Sequence, residues 1–294
     1  MKKPDVSIII VSFNTLALTI QTIDSIIDIC DENIYEIIVV DNSSSDGSEF
    51  VIKKKYPSVT FIQSGENLGF GKANNIGALY ASGEFLLFLN SDVILLNDIC
   101  TEFKKVILSY KKNDIIGASL YDVDLKPNTS FCRAFPGVKL ELLNLIALIL
   151  PSSYMFANKK NKNIIIDGPV SGACFFLSRD TFRKINGFDP DYFMYYEETD
   201  LFLRAKKIGS NIISSPFVRA IHLEGGSEGI KIKTLERGFK SKSMYYKKNL
   251  SKIERITCKV LFFINAYLRM IFFFKNPSKK NFWKTLLDLE NKYL

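Results

Sequence analysis

Apolar residues fall in short unbroken runs over the first hundred positions, with helical spacing between the runs. Val6 to Val11 is β-branched apart from Ser7, the pattern of a strand buried on both faces. Leu16, Ile20, Ile23, Ile26 and Ile27 then recur at helical intervals, which predicts a helix over Leu16 to Ile29. Glu36 to Val40 is a second buried strand, and the polar cluster Asp41 to Ser48 supplies an N-cap for a helix over Glu49 to Tyr56. Val59 to Gln63 predicts a third strand, Gly71 to Ser82 a helix, and Glu84 to Leu89 a fourth strand. Alternation of this kind implies a mainly parallel sheet with helices on both faces. Ligands bind such sheets at the carboxyl ends of the strands. The polar sets at 12–14, 41–42 and 90–92 all fall there, so one shared site is expected.

Beyond residue 95 the pattern loosens. Leu140 to Leu150 reads as an apolar helix too short to span a bilayer. Asn158 to Asn163 reads as a basic loop and Cys174 to Leu177 as a strand. A helix beginning at Phe182 to Ile185 is ended by Asn186-Gly187, another runs from Thr199 to Ile208, and Asn211 to Ser214 is a strand. From Lys231 onward every strong pattern is helical. Ile256 to Phe274 is mostly apolar but holds Lys259, Asn265 and Arg269, which with Lys252 and Arg255 fall within about 140° of helical arc. Each cation would cost about 2.5–3.5 kcal/mol inside a bilayer, so a spanning helix is not expected. A helix lying in the membrane interface, its lysines toward anionic lipid, suits the pattern better. The same pattern also suits a helix packed on protein. The expected division is a domain over 1–230, halved at 95 (1–95 and 96–230), and a basic, apolar helical tail over 231–294.

Charge sharpens that division. The 294 residues carry +8, yet Lys231 to Leu294 holds 16 Lys+Arg against 4 Asp+Glu, or +12, which leaves the body at −4. The basicity belongs to the tail, whose Ile/Leu/Phe run favours an anionic membrane over nucleic acid. Five scattered cysteines without a CxxC pair read as reduced cytosolic thiols, and with a single histidine they argue against a zinc enzyme. Met1 to Asp5 is polar, and the apolar run after it fits a first strand better than a secretory core. A cytoplasmic protein, peripheral on the inner face of the cell membrane, is the expectation.

Candidate chemistry lies in two acidic clusters and the histidine. Asp92 follows the fourth strand in Asn90-Ser91-Asp92, where a carboxylate is well placed to hold a divalent cation. Glu197 and Glu198 follow Tyr192 to Tyr196, and crowding with Asp200 favours a raised pKa suited to a general base. Adjacent acids also simply favour a helix N-terminus.

The segments Val6 to Asn14, Val39 to Ser48, Asn67 to Gly71, Ala73 to Gly77, Leu89 to Asp92, Ser171 to Ala173, Gly187 to Asp189, Met194 to Leu201 and His222 to Ser227 together resemble family 2 glycosyltransferases. The chain is most similar to the bacterial rhamnosyltransferases of surface-polysaccharide synthesis, such as O-antigen or capsule. The resemblance implies a GT-A fold and an inverting transfer from a nucleotide-sugar donor, usually with Mg2+ or Mn2+. It implies nucleotide contacts at Ser12, Asn14, Asp41, Asn67, Gly69, Asn74, Asn90, Ser91 and Asp92. Metal ligation falls to Asp92 and His222, base chemistry to Glu198 beside Glu197, and sugar contacts to Gly172, Ala173, Tyr196 and Asp200. Two positions depart from the family pattern. Asn90 replaces the first acid of Asp-x-Asp, and Glu198 stands one methylene longer than the usual Asp. The favoured donor is dTDP-rhamnose, with UDP-hexose and UDP-N-acetylhexosamine as alternatives; the acceptor is a glycan, on a polyprenyl diphosphate in the favoured reading. A nucleotidyltransferase is the other enzymatic reading. A nucleic-acid-binding protein using the basic tail is the non-catalytic one.

Overall fold

The computed structural model describes residues 3–148, 161–223 and 232–294. They form two compact units: Met1–Arg133, Met155–Phe193 and Glu197–Gly226 in the first, and Ala134–Tyr154, Met194–Tyr196 and Ser227–Leu294 in the second.

In the first unit the elements are β1 (Val6–Ser12), α1 (Leu16–Ile29), β2 (Tyr35–Asp41), α2 (Ser48–Lys55), β3 (Thr60–Gln63), α3 (Phe70–Tyr80) and β4 (Phe85–Asn90). These follow the predicted order within a residue or two. Next come β5 (Val93–Leu95), α4 (Ile99–Leu108) and β6 (Ile115–Tyr121), none of which the hydrophobic pattern announced. The second unit's α5 (Val138–Ile146) follows in the chain. The first unit is completed by β7 (Ile164–Ile166), β8 (Cys174–Ser178), α6 (Arg179–Lys184), α7 (Glu197–Lys207) and β9 (Ile212–His222). The expected loop at Asn158 to Asn163 lies partly outside the described residues, as do the last two residues of the helix expected to reach Leu150.

Nine strands make one sheet in the order β3-β2-β1-β4-β8-β6-β9-β5, with β7 also on β9. The first four run parallel. Antiparallel β8 on β4 ends that regularity, and β6 pairs parallel with β9, so the sheet is mixed. Strand β9 runs eight residues past the predicted Ser214, because Pro216 and Phe217 sit at an irregularity where the register on β6 shifts. After it Arg219 to Ile221 pair with Ser119 to Tyr121, and Ala220 to His222 pair with β5. A pattern reader stops at that proline. The core is aliphatic between β1, β2 and α1, and aromatic around β4 and β8, where Phe88, Phe175, Phe182 and Phe188 pack ring on ring.

The second unit adds α8 (Ile232–Asn249), α9 (Lys252–Phe272) and α10 (Pro277–Tyr293) to α5. A capping box starts α9: the Ser251 hydroxyl accepts from the Glu254 N–H, and the Glu254 carboxylate accepts from the Ser251 N–H. Lys242 of α8 is buried against Glu290 of α10 at 2.9 Å and Glu141 of α5 at 3.6 Å, tying three helices through one cation. Among the described residues no helix is long and apolar enough to cross a membrane.

Candidate active site

Strand register gathers the polar ends. Ser12 lies opposite Asp41, and Val11 opposite Asn90, so the carboxyl ends of β1, β2 and β4 stand side by side. On the far side of β4 the antiparallel β8 brings its N-terminal end to the same edge, and the Asn90 N–H donates to the Ala173 carbonyl at 2.9 Å. Pairing of Val93 with His222 carries the histidine there as well. His222 Nε2 stands 3.3 Å from Asp92 Oδ1, and the Leu223 N–H donates to the Asp92 carbonyl. Residues 224–227 of the histidine motif lie outside the described residues.

Several predicted nucleotide contacts spend their side chains on building the crevice wall. Ser12 is fully buried, 3.0 Å from the hydroxyls of Thr15 and Thr19. Both carboxylate oxygens of Asp41 accept from Ser44, one from its N–H and one from its hydroxyl. Asn14, with a left-handed φ of 53°, accepts from the Ser45 N–H and donates its own N–H to the Ser44 hydroxyl oxygen, which clamps the loop after β2 onto the end of β1. Asn67 accepts from the Gly69 N–H, and Asn74 donates back to the Phe70 carbonyl within α3. Gly69 has φ +79°, and a Cβ there would meet the Phe193 carbonyl oxygen at 2.0 Å, so only glycine allows the two backbones this close.

Asn90 is different. Its Oδ1 is buried and has no hydrogen-bond partner within the chain. Ser91 hydrogen-bonds across the crevice to Thr15 at 3.1 Å. Thr15 therefore links Ser12, Thr19 and Ser91, a role its lone appearance after Asn14 did not signal. Asn42 was likewise not expected to matter by itself, yet its amide holds both the Gly69 carbonyl and the Leu68 N–H. Asn75 does the same for both backbone groups of Phe188.

The glutamates open α7. Glu197 is buried, with Oε2 unpaired, and a Cβ on Gly71 would lie 3.5 Å from its own Cβ. Burial, and then the charge of Glu198, pushes its carboxyl well above the ordinary range. Glu198 is half-buried and seated on Gly172, where an added Cβ would approach its Cγ at 3.1 Å. Burial raises its pKa too, against hydrogen bonds from its own N–H and from Thr199. Cys132 is a neighbour of this group: its thiol is pushed up to about 11, first by burial and then by the Glu198 charge. Asp200 is spent differently, since it accepts from Arg204 Nε at 2.6 Å while Arg204 also donates to the Ile185 carbonyl. Tyr195 and Tyr196, just before α7, both hold left-handed φ near 70°, a strained entry of the kind found at functional sites. In the helical unit the Tyr196 ring lies 5.5 Å from that of Tyr245.

An octahedral divalent cation with ligands at about 2.1 Å separates adjacent donors by about 3 Å. Asp92 Oδ1 and His222 Nε2 fit that spacing, with the unpaired Asn90 oxygen two residues away. The other dense donor set among the described residues is Cys30, Asp98 and Cys100, inside the core. It suits a metal poorly. The Cys100 thiol is raised by its hydrogen bond to Cys30 and by burial, and Asp98 already caps α4 by accepting from the Thr101 N–H and hydroxyl.

This half-parallel sheet, with acids gathered at its carboxyl edge, is that of a GT-A glycosyltransferase. A crystal structure of GalNAc-T7 with UDP, GalNAc and Mn2+ superposes at a TM-score of 0.59 and 17% identity, covering 84% of this chain and 48% of that one. Residues 7–185 match the model of glycosyl transferase family 2, and the chain belongs to that family. It is 28% identical over 207 residues to the rhamnosyltransferase WbbL of Escherichia coli, covering 65% of this chain and 74% of that protein. It is 24% identical over 209 residues to an N-acetylglucosaminyl-diphospho-decaprenol L-rhamnosyltransferase of Mycobacterium tuberculosis, covering 66% and 68%.

Proposed function

We propose that the protein is an inverting, metal-dependent rhamnosyltransferase, acting from dTDP-rhamnose on a saccharide carried by a polyprenyl diphosphate at the cytoplasmic face of the cell membrane. The observation that carries this reading is one sheet edge holding both the Asp92–His222 pair at 3.3 Å and Glu198 seated on Gly172. Names of the two rhamnosyltransferases support the sugar, and the decaprenyl one supports the acceptor.

Glu198 takes the proton from the acceptor hydroxyl as that oxygen attacks the anomeric carbon from the face opposite the leaving group. The bond between the anomeric carbon and the diphosphate oxygen breaks, the configuration inverts, and the nucleoside diphosphate departs with the electron pair. Asp92 and His222 would hold a Mg2+ or Mn2+ ion, which when bound neutralises charge on the diphosphate. Asn90, two residues before Asp92, carries an unpaired oxygen, a dipole where an acid would add charge. Thr15 and Ser91 close the crevice wall next to them, Gly172 and Ala173 leave room for the sugar, and Asp200 steadies α7 through Arg204. Burial holds the Glu198 carboxyl above the ordinary glutamate range, and its charge in turn raises that of Glu197 beside it.

The test is a nucleotide-release screen over dTDP-rhamnose, UDP-glucose, UDP-galactose and UDP-N-acetylglucosamine, with an N-acetylglucosaminyl diphospholipid as acceptor. dTDP release that depends on acceptor and on added Mg2+ or Mn2+ is expected. Faster turnover of a UDP-sugar overturns the donor assignment, and pyrophosphate release from a nucleoside triphosphate overturns the reaction class.

A further inference from the structure

In the second unit, α9 sits the wrong way round for a water-soluble helix. In its second half the polar positions turn inward: Asn265 is buried, and Arg269 hydrogen-bonds to Asn265 and lies over the Trp283 ring. The outward stripe is apolar, with Ile253, Val260, Ile264, Leu268, Ile271 and Phe272 between 45% and 77% exposed. Against the end of α5 this stripe opens a groove of about 560 Å³ lined only by Leu, Ile and Phe. Exposed apolar surface on this scale marks a contact with something that is not water.

The same helix also borders a cavity of about 230 Å³, where Lys247, Lys252, Arg255 and Lys259 line the wall together with Ser243, Tyr246, Ile256 and Leu294. Arg255 Nε is buried there with no hydrogen-bond partner. Lys252 and Arg255 also occupy the first turn of α9, where the helix dipole disfavours cations. Four cations around one cavity, two of them at the positive end of α9, form a site suited to an anion. Residues 252–284 hold eight Lys and Arg against Glu254 alone, so a second copy docked by the same face would meet like charge.

We propose that this face of the second unit docks on an anionic phospholipid bilayer, with a headgroup phosphate in the Lys247–Lys252–Arg255–Lys259 cavity and acyl chains along the α9 stripe. The inference rests on the reading that the enzyme works at a membrane, but it is measured without sugar transfer. A failed vesicle result and a failed donor screen are therefore separate outcomes.

The experiment is sedimentation of the full chain with vesicles of phosphatidylglycerol and phosphatidylcholine, and with phosphatidylcholine alone. Partition onto the anionic vesicles is expected. The double variant Arg255→Gln/Lys259→Gln should weaken it about 30-fold, from about fivefold per cation at a charged surface. The variant Ile264→Ser/Ile271→Ser should weaken binding to both vesicle types. Both variants replace side chains that are at least partly exposed, and unchanged circular dichroism will verify their folding. Wild-type partition unaffected by either variant would overturn the proposal. So would a dimer in light scattering that the Ile264→Ser/Ile271→Ser variant dissociates.

Discussion

Replacing Glu198 by glutamine removes a proton acceptor and leaves the volume that seats it on Gly172. The substitution keeps the contact with Gly172, so donor binding should stay within about twofold while turnover falls by about 10²- to 10⁴-fold, the usual worth of a general base. The pH profile is more discriminating than the loss itself. A base works deprotonated, so kcat/KM falls as pH falls through its pKa. Burial raises that pKa, which moves the acid limb above the ordinary glutamate range near 4.5. The Glu198→Asp variant keeps a carboxylate one methylene shorter and should recover part of the rate with its acid limb still present. Calorimetric binding of dTDP with Mg2+ and a coupled assay for dTDP release read the two parameters separately. Near-normal turnover in Glu198→Gln, or an acid limb that survives in it, would sink the assignment and transfer the role to Glu197.

Four further outcomes follow from particular contacts. Glu197→Gln should raise thermal stability at pH 8 and give no gain at pH 4. The folded pKa of Glu197 lies above its unfolded value, so stability is lost as pH rises from the unfolded toward the folded pKa, and glutamine abolishes that loss. Gly69→Ala forces a Cβ onto the Phe193 carbonyl at a φ that only glycine tolerates; a cost of about 3 kcal/mol is expected, read as a drop in Tm. Lys242→Ala leaves Glu290 and Glu141 buried without their cation and should cost about 3–5 kcal/mol, whereas Lys242→Arg should recover much of it. Iodoacetamide at pH 7.5 should leave Cys100, Cys132 and Cys174 unmodified in the native chain, since the Cys30 hydrogen bond and burial for Cys100, and burial for the other two, hold the thiols above the ordinary range; all should react in denaturant.

The parallel half of the sheet was legible because strands buried on both faces leave unbroken apolar runs, and β1, β2 and β4 are of that kind. Short edge pieces such as β5 and β7, three residues each, carry no period to read. The antiparallel return of β8 was invisible for a different reason. Its pairing with β4 is set by three-dimensional register, yet that pairing brings Gly172 and Ala173 to the edge where β4 ends. Candidate site residues can be picked from the sequence by type and order, but their hydrogen-bond partners cannot. Ser12, Asn14 and Asp41 look like ligands in sequence because they are polar at strand ends, and the same property makes them good loop clamps. Only the accounting of partners separates them from Asn90, whose buried oxygen is left unpaired. The five cysteines show the same limit, since residues 30 and 100 look scattered along the chain and hydrogen-bond in the fold.

Helix α9 carries this reasoning furthest. Its composition gives an apolar helix with a polar stripe, and the usual expectation is that the stripe faces solvent. Here Arg269 and Asn265 satisfy each other under Trp283, and Lys242 of α8 closes a buried triad with Glu290 and Glu141, so the interior of the second unit is unusually polar for its size. A polar interior and an apolar outer face form one arrangement rather than two accidents. Each cation drawn inward costs desolvation that packing with apolar residues would avoid. An orientation selected for stability alone would turn Ile264, Ile271 and Phe272 inward and Arg269 out. The observed orientation makes sense when the outer face has an apolar partner of its own, and in the proposed docking Lys252, Arg255 and Lys259 meet the negative charge of that partner.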